Sequence, residues 1–91
     1  MEIRVRHALS APELERRLLA AAQTHDIEVT PAADGKSGVI VKDASFLGSV
    51  RASYTLEADA LIVQVNEWPK FLSEAALRSM LENELGKLVA R

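Results

Sequence analysis

The chain contains no cysteine. That single absence excludes disulfide staples, thiolate metal centres and cysteine nucleophiles, and it leaves the redox compartment open. Aromatic residues are scarce as well, with one tryptophan, one tyrosine and two phenylalanines. A base-stacking platform on a sheet needs several such rings on one face, so single-stranded nucleic acid loses its usual recognition chemistry. Neither sign of charge dominates: the net charge is -2, and the seven basic residues up to Arg51 are matched by seven acidic ones. A nucleic-acid partner is therefore not expected. MEIRVRHALS lacks the apolar core of a secretion signal, and no apolar run is long enough to span a bilayer. The expectation is a cytoplasmic protein without a transmembrane segment.

What is present is ordinary for a globular chain. Hydrophobic residues make up 48% and charged residues 26%, so neither disorder nor a fibrous repeat is indicated. Ninety-one residues suffice for one core and not for two. The reading is a single α+β domain spanning residues 1–91.

Hydrophobic periodicity then orders the elements. EIRVR alternates, with Ile3 and Val5 on one face, and predicts a strand over residues 2–7. In LSAPEL, Ser10 caps a helix, Glu13 is placed to return to the Ser10 backbone, and Leu9 can staple onto Leu14. The helix runs to about His25, with Leu14, Leu18, Ala21 and Ala22 on the buried stripe and Leu19 widening it. IEVT alternates again, PAADGKSG holds the residues of a turn, and GVIVK is a third strand.

FLGSVRASYTL places Phe46, Gly48, Val50, Ala52, Tyr54 and Leu56 on one face, and EADA turns the chain into LIVQVNE. Ser73 caps a last helix, in which Leu77, Met80, Leu81, Leu85, Leu88 and Val89 recur at helical spacing. The order is β-α-β-β-β-β-α. It predicts an antiparallel sheet of four to five strands with two helices packed on one face.

The layout resembles the polyhydroxyalkanoic acid system proteins, small bacterial proteins associated with polyester storage granules. The resemblance is carried by IRVRHALS followed by an amphipathic helix, by the glycine-containing hairpin FLGSVRASYTLEADALIVQV, and by a leucine-rich closing helix, and it spans nearly the whole chain. It implies a granule setting. The family has no established catalytic residues, so the resemblance assigns none here.

Each candidate site has a simpler role. His7 and His25 lack H-x-x-H or H-E-x-x-H spacing, so no metal or other cofactor is expected, and His7 has no evident catalytic partner. Glu82 and Glu84 point to different helix faces, while Glu57 and Asp59 share a turn, so no acid and base pair is formed. DGKSG lacks the Walker spacing and reads as a turn. No catalytic residue is assigned, and the chain is not read as an enzyme.

Two functional readings remain. In the first, Trp68, Phe71 and Leu72, with Lys70 among them, contact an apolar granule surface or a protein partner, and Arg4, Arg6 and Arg51 form a secondary polar face. The simpler role for Trp68 and Phe71 is a lid over the core, and it is preferred. Ile62 and Leu47 on the open face of the sheet suit a homodimer. In the second, the space between sheet and helices binds a small lipophilic ligand, lined by Phe46, Tyr54 and Trp68.

Overall fold

A computed structural model of the protein describes residues 1–43 and 48–90. Its elements are β1 (Glu2–Arg6), α1 (Ala11–His25), β2 (Glu28–Pro31), β3 (Ser37–Asp43), β4 (Ser49–Leu56), β5 (Ala60–Glu67) and α2 (Glu74–Val89). The five strands form one sheet in the order β1-β5-β4-β3-β2, and every neighbouring pair is antiparallel. The architecture is the expected α+β fold, with the first strand carried across to pair with the last.

Alternation decides which side of the sheet each strand buries. Ile3, Tyr54, Leu61, Val63 and Val65 are nearly inaccessible, whereas the intervening Arg4, Arg51 and Thr55 are exposed. Both helices cover the buried side, with Leu14 and Leu18 from α1 and Leu77 from α2 completing the core. Each large aliphatic side chain fully buried there contributes about 1.5–3 kcal/mol.

Local chemistry sets the ends of the elements. Ser10 has extended backbone angles and accepts the Glu13 N–H at 3.3 Å, as a cap should. The Glu13 carboxylate does not complete the expected capping box; it engages Arg16 and Arg17 within its own helix. Those two guanidiniums, Arg16 foremost, hold its carboxyl below the ordinary 4.5. At the other end Asp26 adopts the left-handed region (φ 55), which aspartate tolerates better than most residues. The Ala22 carbonyl there accepts from Asp26 and, at 2.8 Å, from Ile27.

Asp34 builds the β2–β3 turn. One of its oxygens accepts from the backbone of Lys36 at 2.9 Å and of Ser37 at 3.1 Å, and the Ser37 hydroxyl binds the same carboxylate. These donors lower the Asp34 pKa from its ordinary 3.8, the Lys36 N–H most of all. Pro31 closes β2 at the sheet edge, where a missing N–H is tolerated.

Gly38 and Tyr54 are register partners across β3 and β4. The tyrosine ring lies over the glycine so closely that no other side chain fits. Pairing of β4 with β5 steps from Ala52↔Val65 to Arg51↔Glu67, leaving Asn66 as the extra residue of a bulge. Beyond the bulge, the Leu72 N–H closes a turn on the Pro69 carbonyl, and Ser73 caps α2 by accepting from Ala76 at 3.1 Å.

The helical stripes are less buried than their periodicity suggests. Leu19 does not widen the buried face of α1; it is 38% exposed. On α2 only Leu77 is fully buried, and Met80 is 50% exposed. For Met80 the physical reason is a gap between the helices, which it lines.

Candidate functional site

Where α1 and α2 cross the sheet, they leave a groove of about 430 Å3. Its floor is Val63 and Val65 of β5, Val50 and Ala52 of β4, Ile40 of β3 and Val29 of β2. One wall is Leu18, Ala21 and Ala22 of α1; the other is Met80, Leu81, Leu85 and Leu88 of α2. The helices are tied together by the Arg17 guanidinium, which donates to the carbonyls of Leu88, at 3.1 Å, and Ala90. Beyond that tie, the small side chains of Ala21, Ala22 and Ala52 leave space that the α2 leucines do not fill.

Three polar residues stand at the rim: His25, Lys42 and Glu84. Lys42 shares the helix-covered side of β3, since it pairs with Val50 and follows Ile40 by two residues, but near the strand end it is exposed. Its ammonium donates to the His25 carbonyl at the end of α1, at 2.8 Å, which suits the negative end of a helix. Glu84 faces Lys87 on its own helix at 3.7 Å. Aliphatic walls with a few polar groups at the edge are the composition of a small-molecule site, and the volume falls within the roughly 300–1,000 Å3 of such sites.

The residues singled out from sequence fall elsewhere. Trp68 and Leu72 are half-buried and pack on the core, whereas Phe71 is 66% exposed with the exposed Lys70 beside it. The lid and the tip are thus divided between residues: Trp68 covers, Phe71 projects. Of the pocket residues expected from sequence, neither Tyr54 nor Trp68 is in the groove wall, and Phe46 lies outside the described residues. Tyr54 is instead part of the packed core, 1% exposed, and its hydroxyl is buried without a partner among the described residues. Burial, with Glu15 and Asp34 adding negative charge nearby, raises the phenol pKa above its ordinary 10.0.

Arg4, Arg6 and Arg51 lie on the open face, as alternation requires, but they are not one cluster. Arg4 pairs with Glu57 at 3.4 Å and Arg51 with Glu67 at 3.3 Å, so both charges are locally balanced. Thr55, in the row of Arg4, is four residues along β4 from Arg51, a separation of roughly 13 Å. Of the aliphatics read as a dimer surface, Ile62 is half-buried on this face and Leu47 lies outside the described residues.

His7 has a structural assignment. Its Nδ1 accepts the Leu9 N–H at 3.0 Å, which leaves Nε2 protonated to donate to the Glu57 carbonyl, also at 3.0 Å. The ring therefore fastens the β1–α1 corner to the β4–β5 turn. Among the described residues no group of three or more acidic or histidine side chains could hold a metal ion, and no helix is long and apolar enough to cross a membrane.

Fold and groove together define a class: an antiparallel sheet with one helical layer and an aliphatic cleft opening between its helices. No family model matches the chain, and neither comparison with curated proteins nor comparison with solved structures finds a match.

Proposed function

We propose that this chain is a non-enzymatic binding module whose groove takes up an apolar ligand. The observation that carries this reading is the groove of about 430 Å3 walled by aliphatic side chains from both helices and four strands. A stripe such as that of α2 is stabilising when covered, and here Met80, Leu81 and Leu85 overhang open space. A guest in the groove would supply the missing contacts.

The test is displacement of a polarity-sensitive fluorophore. The wild type is expected to bind it and to release it to small apolar competitors. Ala22→Leu, which places a larger side chain against the groove, is expected to fold and to bind it at least tenfold less. Equal binding by folded Ala22→Leu would contradict the assignment.

A second reading rests on Phe71, the most exposed of the large hydrophobic residues among those described. With Lys70, and with Trp68 and Leu72 behind it, Phe71 would touch an apolar surface or a protein partner. The sequence resemblance to the granule proteins supplies a setting, a polyester granule in a bacterial cytoplasm, and self-association through the open sheet face belongs to the same picture. Co-sedimentation with polyester particles, lost on Phe71→Ser, would support it; particles that leave the wild type in the supernatant would remove it.

A further inference from the structure

We infer that the groove's ligand is a free single-chain amphiphile with a terminal carboxylate, the chain lying between the helices and the head group held at Lys42. The inference rests on the groove being a binding site and names its ligand class.

Lys42 occupies an odd position. Alternation along β3 gives Gly38 and Ile40 to the buried side, and the next residue on that side should be apolar. A lysine stands there instead, lining the groove and sharing its rim with His25. Its ammonium is anchored by a bond to the His25 carbonyl at 2.8 Å, and among the described residues two of the three donors of an ammonium have no acceptor. Among the described residues no carboxylate pairs with it, as is also true of Arg6, Lys36, Lys70 and Arg78, but of these Lys42 alone lines the groove.

Glu84, the other charged group at the rim, is already countered by Lys87. Among the described residues the uncompensated charge at the mouth is therefore positive, and it borders aliphatic walls. A carboxylate on an alkyl chain complements both parts. The chain buries against the half-buried Leu85, Val50 and Ile40, and the head accepts charge-assisted hydrogen bonds from Lys42. A neutral head would leave the ammonium unpaired, and a cationic one would be repelled by it.

The experiment is calorimetric titration of the wild type and Lys42→Met with decanoate, decanol and decyltrimethylammonium, each below its micelle-forming concentration. Circular dichroism establishes that the variant is folded, and methionine keeps the aliphatic stem. The expected result is that the wild type binds decanoate about tenfold or more tighter than decanol, and that Lys42→Met abolishes this preference. Affinity for alkanoates should also rise about fourfold per added methylene until the groove is full.

Equal affinity for decanoate and decanol, or a preference unchanged in Lys42→Met, overturns the carboxylate assignment while leaving the groove as an apolar site. Tightest binding of the ammonium compound overturns it in favour of Glu84. Absence of binding by all three removes the groove reading, and this inference with it. A wild type whose mass doubles with concentration, with ligand binding only to the monomer, shows that a second copy occupies the groove and overturns the assignment as well.

Discussion

Replacing Gly38 by alanine should disturb the core out of proportion to the single methyl group added. A Cβ at this position would lie 2.5 Å from both Cε1 and Cζ of Tyr54. Carbon atoms pack at about 3.5–4.0 Å, so the ring would have to retreat by roughly 1 Å. It has nowhere to go, because Tyr54 is 1% exposed and packed within the core. Overpacking of this kind costs about 1–3 kcal/mol.

Without the ring the sign should change, since alanine in a strand is favoured over glycine by roughly 0.5–1 kcal/mol. Urea denaturation of wild type, Gly38→Ala, Tyr54→Leu and the double variant closes the cycle, and a coupling of about 1.5–4 kcal/mol is expected. Tyr54→Phe serves as a control. It keeps Cε1 and Cζ, so Gly38→Ala should remain destabilising in that background. A neutral Gly38→Ala, or one whose cost is the same with and without the ring, would refute the reasoning.

Other outcomes follow from the same structure. Gly86 lies within α2 with open space where a Cβ would be, so Gly86→Ala should stabilise by up to about 1 kcal/mol in thermal or urea unfolding. The sole tyrosine has a folded-state pKa raised above its ordinary 10.0, so its contribution is complete below that pH and declines as pH rises through the folded value. Tyrosinate absorbance should accordingly appear together with loss of structure in an alkaline titration, and ionisation of a folded chain near pH 10.0 would contradict it. Asp34 has a lowered pKa, so its contribution is present above the ordinary 3.8 and is lost as pH falls through the folded value. Asp34→Ala should flatten the acid limb of the stability profile, and an unchanged limb would show that the turn does not titrate as described.

Much of this architecture is written in local patterns. The alternation in SVRASYTL and ALIVQVNE, with a short polar turn between them, leaves a hairpin as the natural reading. Ser10 and Ser73 mark both helix starts because a cap needs only a side-chain oxygen a few residues from its donor. The groove was not legible in the same way. Periodicity gives the side of a helix that faces the sheet, but the distance between two helices depends on the volumes that meet across them. The signal was present in the alanines at 21 and 22 opposite the leucines at 81 and 85, yet nothing local pairs those positions. Lys42 could have been noticed as a charge at an inward position of GVIVK. Trp68 and Phe71 sit three residues apart around a proline, and the turn at Pro69 sends one ring inward and the other out, which spacing alone does not decide.

The most direct test of an apolar site between the helices is a methyl-resolved nuclear magnetic resonance titration with decanoate. Saturable shifts at Ile40, Val50 and Leu85, with Leu56 and Leu61 unmoved, are the predicted result. Shifts confined to the surroundings of Phe71, or no saturable shift at any methyl group, would contradict the account.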